Sequence, residues 1–186
     1  MNARLNNVFR RYSTSATILN VTKSAMSSSR NGRGSLKIKV FVTQLSSCVY
    51  LPPPSQEDAE RGKRIHDYLQ AFVKRTAKVE YPIKKEFPEF ILSGRIDVLL
   101  PDNTPLEIKS GLEHPEHFDQ VRMYMNMLGV DTGYLYYYGR KMLLVEGRMS
   151  DKEIERRYEL FIKKKLFGHC PSCKVSMTCP FSLVRV

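Results

Sequence analysis

Two apolar runs, at residues 90–100 and 106–110, flank Pro101-Asp102-Asn103-Thr104-Pro105. That middle run is rich in turn-formers, so the segment predicts a β-hairpin. The hairpin carries charge where a strand should be apolar. Asp97 sits in Arg95-Ile96-Asp97-Val98-Leu99-Leu100, and Glu107 and Lys109 sit in Leu106-Glu107-Ile108-Lys109. Charges among such residues are costly unless they are paired or bind a metal. The period of two puts Glu107 and Lys109 on one face and Leu106 and Ile108 on the other. A turn of odd length brings Asp97 across from Glu107 on that same face.

Two carboxylates beside one ammonium suit a divalent cation next to a phosphate. The ion polarises the phosphoryl oxygen, and the lysine orients a water or offsets charge. Glu-x-Lys alone is a common surface pair, so other segments must support it. Residues 56–75 read as an amphipathic helix with Ile65, Leu69, Phe72 and Val73 on its apolar stripe. Gly62 and His66 share one of its faces, and the glycine is expected to leave room beside the imidazole. Residues 113–128 form a second helix with Phe118, Val121, Met125 and Leu128 inward. Gln120 and Tyr124 lie four apart on another of its faces, with His117 on the same side.

The remaining chain reads simply. Residues 36–43 alternate as a short strand or the lead-in to a helix, and Val79, Tyr81 and Ile83 alternate in a strand. Residues 133–138 and 141–146 make a hairpin around Gly139-Arg140. Ser150 and Glu153 form a capping box opening a helix with Ile154, Tyr158, Phe161 and Ile162 inward. Lys163–Lys165 follow it, where positive charge favours the helix dipole. Residues 1–35 hold six Arg or Lys, no acid and many Ser, Thr and Asn, which predicts a disordered basic tail. The same composition also describes a mitochondrial transit peptide. Residues 36–186 are expected to form a single domain.

The chain of 186 residues carries a net charge of +11. Such a surplus favours a polyanionic partner, because each cation near a phosphate releases counterions. No apolar stretch is long enough to span a membrane. Arg95, Arg122 and Lys163–Lys165 lie along a possible nucleic-acid path. Tyr136, Tyr137 and Tyr138 offer either a base-stacking platform or ordinary core and edge positions. Cys48, Cys170, Cys173 and Cys179 are the four cysteines. Without a secretory signal they point to metal ligation rather than disulfides. Four thiolates suit an iron–sulfur cluster, with a four-cysteine zinc site as the rival.

In order, Gly62-x-x-x-His66, Gly94-x-x-Asp97, Glu107-x-Lys109 and Gln120-x-x-x-Tyr124 resemble the RecB-like branch of the PD-(D/E)xK nuclease superfamily. One cysteine before these motifs and three after them are similar to the fourth CRISPR-associated protein family, iron–sulfur exonucleases with virus-encoded relatives. The resemblance covers about residues 40–181 and implies several things. The fold would be α/β, a mixed central sheet flanked by helices (a restriction-endonuclease-like core) with a small helical iron–sulfur cap. His66, Asp97, Glu107 and the carbonyl of Ile108 would bind Mn²⁺ or Mg²⁺. Lys109 would be catalytic, and Gln120 and Tyr124 would contact substrate or order the site. The four cysteines, on elements at 44–50 and 167–181, would hold a cluster, 4Fe–4S in preference to 2Fe–2S, tying the chain ends together.

The implied activity is metal-dependent exonucleolysis of single-stranded DNA, 5′→3′. It would serve CRISPR spacer acquisition beside the integrase complex, or a viral counterpart, in the cytoplasm, with a homo-oligomer as one expected state. The alternatives are an iron–sulfur DNA-binding protein with an idle site, and a mitochondrial RecB-like exonuclease.

Overall fold

The computed structural model describes residues 37–166, 168, 170–173 and 175–182. The basic tail expected over residues 1–35, and with it the transit-peptide reading, lies outside them.

Strand β1 (Ile38–Phe41) runs directly into helix α1 (Val42–Ser46), so within the described residues the alternating run is strand from Ile38 to Phe41 and helix after it. Helix α2 (Gln56–Val73) starts after the proline run. Ser55 caps it by accepting the Asp58 N–H, and Glu57 and Asp58 favour the positive end of its dipole. Leu69 and Val73 face the core. Phe72, expected beside them, is 52% exposed and packs edge-on against Tyr68. It lies about 100° round the helix from Val73, which carries it beyond the buried arc.

The following elements are β2 (Lys78–Glu86), β3 (Phe90–Leu99), β4 (Pro105–Lys109), α3 (Pro115–Leu128), β5 (Thr132–Tyr137), β6 (Lys141–Glu146) and α4 (Asp151–Ile162). All six strands join one mixed sheet. β2 runs antiparallel along one edge of β3, from Lys78↔Leu99 to Glu86↔Ile91. The other edge of β3 is shared. β1 pairs in parallel with Phe90–Ser93, and β4 pairs antiparallel with Val98 and Leu99 only. Residues 94–97 therefore have no strand partner on that edge. β4 and β5 are parallel, joined by the α3 crossover, and β6 closes the sheet as a hairpin with β5.

Helices cover both faces. Leu69 and Val73 of α2 pack on Val98, Leu106, Ile108 and Tyr136. On the opposite face Val42, Leu45, Met123, Tyr124, Ile154 and Tyr158 pack on Leu92 and Ile96, and Val121 and Met125 on Leu135 and Tyr137. Ile154 and Tyr158 are inward as expected, but Ile162, on the last turn of α4, is 48% exposed. Ser150 caps α4 by accepting the Glu153 N–H, while the Glu153 carboxylate turns to Arg156 and Arg157. The box is therefore made on one side only. No helix among the described residues is long and apolar enough to cross a membrane.

One irregularity positions the site. Phe90, Leu92 and Ile96 belong to the core on the α3 side, whereas Val98 and Leu100 belong to the core under α2. Strict alternation would hold all five on one face. The parity breaks at Asp97. Opposite it, between the pairs Val79↔Val98 and Tyr81↔Ile96, stands Glu80 with φ +49°.

Candidate active site

The break in alternation brings Asp97 toward Glu107. The β3–β4 ladder, extended by one step beyond Val98↔Leu106, places these two carboxylates opposite each other. The ladder stops there because Asp97 intervenes: its Oδ2 accepts the Ile108 N–H at 2.8 Å. In an extended strand the N–H and C=O of one residue leave the same edge, so the Ile108 carbonyl also faces the Asp97 side. Both carboxylates are buried, Asp97 at 8% and Glu107 at 3% exposure.

Helix α3 supplies the opposite wall. Lys109 Nζ donates to Glu107 Oε1 (3.0 Å) and Gln120 Oε1 (2.8 Å), and Gln120 Nε2 donates to the same Glu107 oxygen at 2.6 Å. The Tyr124 hydroxyl donates to the Arg95 carbonyl (3.0 Å), and Gln70 Nε2 of α2 donates to the Asp97 carbonyl (3.2 Å). These side chains satisfy backbone carbonyls in the stretch of β3 that has no strand partner on one edge. Gly94 is what admits Tyr124. A Cβ there would stand 2.5 Å from Tyr124 Cε1 and 3.1 Å from Val42 Cγ2. A cleft lined by Phe41, Thr43, Pro82, Arg95 and the Asp97–Glu107–Lys109 group opens at this gap.

The second oxygen of Glu107 has no partner. Among the described residues, Oε2 is the buried side-chain polar atom left without a hydrogen bond. Burial, and the negative charge of Asp97 beside it, push the Glu107 carboxyl up to about 7. The α2 histidine faces the same carboxylates, with His66 Nδ1 3.4 Å from Asp97 Oδ1. Burial opposes a charge on His66, but the Asp97 contact and the charges of Asp97 and Glu107 raise its pKa overall. Tyr124 is held well above the usual phenol range by burial and by Glu107, so it stays a hydrogen-bond donor.

The residues offered for a metal are brought near one another but not into one tight group. The ligand atoms that close within 4.8 Å of each other are those of His66, Glu80 and Asp97, and Glu107 stands outside that set. Glu80 carries no motif. In the sequence it alternates with Val79 and Tyr81, as any solvent-facing strand residue would. One expectation is corrected. The space at Gly62 borders Ser110 Oγ (3.4 Å), not the imidazole, because His66 is turned to Asp97. His117 pairs with the Tyr137 hydroxyl, 2.9 Å from its Nδ1, and burial together with the charges of Lys109 and His114 lowers its pKa to about 3. Of the three tyrosines, Tyr136 and Tyr137 are buried by alternation under the helices and only Tyr138 is exposed.

The four cysteines are free thiols lining one cavity, together with Tyr50, Glu116 and Phe181. Tyr50 stacks on Phe181 with ring centroids 3.8 Å apart, and the Val49 N–H donates to the Leu166 carbonyl. These contacts join the start of the described chain to its end. Among the described residues, no three cysteine sulfurs lie within 4.8 Å of one another. A tetrahedral zinc ion would need its sulfurs about 3.8 Å apart. As placed, the sulfurs do not form a tight metal-binding group.

No protein-family model matches this chain, and no curated protein matches it in sequence. Among solved structures it is similar to the crystal structure of SSO0001, with a TM-score of 0.63 and 20% identity over 82% of this chain and 90% of that one. Weaker likenesses join it to an alkaline exonuclease from Laribacter hongkongensis (TM-score 0.47, 15% identity, 68% and 87% covered) and a phage-related exonuclease from Haemophilus somnus 129PT (0.37, 12%, 70% and 92%). The first likeness is one of fold, and the other two are too distant to argue from.

Proposed function

We propose that the cleft is the active site of a metal-dependent DNA nuclease. The observation that carries this reading is Glu107, a carboxylate 3% exposed with one oxygen held by Lys109 and Gln120 and the other without a partner, beside a second buried carboxylate. Two such groups repel in the interior, and a divalent cation relieves both the repulsion and the unsatisfied oxygen. Asp97, Glu107, the Ile108 carbonyl and His66 would hold Mn²⁺ or Mg²⁺. Hard oxygens with one imidazole are a donor set that such ions accept. The ion, when bound, supplies Lewis-acid polarisation of a phosphoryl oxygen and activation of water.

The protein's own groups supply the rest. Lys109 is an ammonium with three donors, and Glu107 and Gln120 take two. The third remains to orient the attacking water or offset charge on the phosphate. Gln120 fixes both Lys109 and Glu107, and Tyr124 anchors the unpaired edge of β3. The net charge of +11 and the exposed Arg95 beside the cleft suit a polyanion.

The finer reading is a 5′→3′ exonuclease on single-stranded DNA with an iron–sulfur cluster on Cys48, Cys170, Cys173 and Cys179. It would act in CRISPR spacer acquisition beside the integrase or in a viral counterpart, as one domain over 36–186 with cluster-binding elements at 44–50 and 167–181. The order of the motifs from Gly62 to Tyr124 and the shared cavity of the cysteines support it. The decisive test is cleavage of end-labelled single- and double-stranded DNA with Mn²⁺, Mg²⁺ or chelator. Lys109→Ala is expected to lower cleavage at least about a hundredfold while DNA binding persists. Unchanged cleavage by that variant would sink the proposed site.

A further inference from the structure

Glu80 lies outside every motif, yet its carboxylate closes a group with His66 and Asp97 whose ligand atoms are all within 4.8 Å of one another. Asp97 divides its two oxygens. Oδ2 is turned to the Ile108 N–H on the β4 side, and Oδ1 faces His66 at 3.4 Å. The unpartnered Glu107 Oε2, on a side chain 3% exposed, stands outside this group. The donors thus fall into two sets that meet at Asp97.

Glu80 is also held in a conformation its residue type rarely adopts. Its φ of +49° is in the left-handed region, inside a strand, directly opposite the break in β3. Gln70 donates to one carboxylate oxygen at 2.7 Å and Arg95 pairs with the other. The same Gln70 donates to the Asp97 carbonyl, so Glu80 and Asp97 are set by one side chain. A carboxylate offers about four lone-pair positions, and two donors leave room for an ion.

We propose that Glu80 is a cation ligand which, with His66 and the outward oxygen of Asp97, forms a second divalent-cation subsite that shares Asp97 with the Glu107–Ile108 subsite and takes His66 as its own ligand in place of the single-ion assignment above. The proposal rests on the metal-dependent reading of the cleft and extends it to a pair of ions. In a two-ion site the ions flank the scissile phosphate and stabilise the attacking and leaving oxygens.

The test is a titration of metal-free, full-length protein with Mn²⁺ in the absence of DNA, following free Mn²⁺ by electron paramagnetic resonance. Wild type is expected to bind two ions per chain. Glu80→Gln is expected to bind one, with the other weakened at least tenfold. Glu80→Asn guards against misfolding, because asparagine tolerates a positive φ, and it is expected to fold with the same loss of one ion. Equal stoichiometry and affinity in wild type and both variants overturn the Glu80 subsite while leaving a single-ion nuclease in place. Wild-type cleavage that continues in chelator, with no Mn²⁺ bound, overturns the metal-dependent reading itself.

Discussion

Glu107 and His66 make the metal-free site sensitive to pH in one direction. Glu107 ionises at about 7 in the folded chain against 4.5 ordinarily, because burial and Asp97 disfavour its charge. Between those values the folded state holds a proton that the unfolded state has released, so stability falls as pH rises. His66, whose pKa is raised, adds stability below 6.5 that is lost as pH climbs through its folded value. The two act together. Buried His117, whose pKa falls to about 3, acts with the opposite sign between that value and 6.5, so the comparison that isolates the site is with a variant. From pH 5 to pH 8 chelator-treated wild type is expected to lose stability relative to Glu107→Gln. Calorimetry at the two pH values decides, and a wild type that loses no ground to the variant contradicts the assignment. Cation binding displaces the same proton, so Mn²⁺ should restore stability most at the upper end.

β3 and α3 set the site between them. The stretch of β3 at residues 94–97 lacks a strand neighbour on one edge, and Tyr124 fills that opening through its ring and its bond to the Arg95 carbonyl. Gly94 is required for this by close approach rather than by backbone conformation, since its added Cβ would meet the Tyr124 ring at 2.5 Å. Gly94→Ala is therefore expected to destabilise the protein by about 1–3 kcal/mol through overpacking. It should also lower cleavage by moving Tyr124 and, with it, Gln120. Denaturant unfolding measures the first effect, and a variant as stable as wild type would show that the ring yields without cost. The Gly-x-x-Asp spacing was legible in the sequence, but the reason for its glycine was not. That reason lies on a helix some thirty residues away (Gly94 to Tyr124).

Across the whole molecule, the cysteine cavity gathers residues from both ends of the described chain. Linking Cys48 to Cys170 through one group closes a loop of 122 residues, from 170 minus 48. Crosslinks over loops of this length contribute up to about 5 kcal/mol in the chain-entropy view, so binding of the proposed cluster should be coupled to folding. α3 lies against both centres: Glu116 lines the cysteine cavity and Gln120 and Tyr124 line the cleft. Protein purified without oxygen is expected to be brown, and Cys173→Ala to lose the broad visible absorbance and melt earlier. A colourless protein holding one zinc would refute the cluster.

The sequence by itself determined the elements and much of the site. Periodicity placed the helices and hairpins, and charge within apolar strands singled out Asp97, Glu107 and Lys109, because both signals are local along the chain. The tertiary structure decided what depends on two segments meeting. It turned Phe72 outward and His117 toward Tyr137, and set Gly62 against Ser110. It shifted the alternation of β3 at Asp97, and it drew Glu80 from an ordinary strand position to the side of His66. Glu80 carries no local signature, since its neighbours come from α2 and β3, and only folding brings them within reach of its carboxylate.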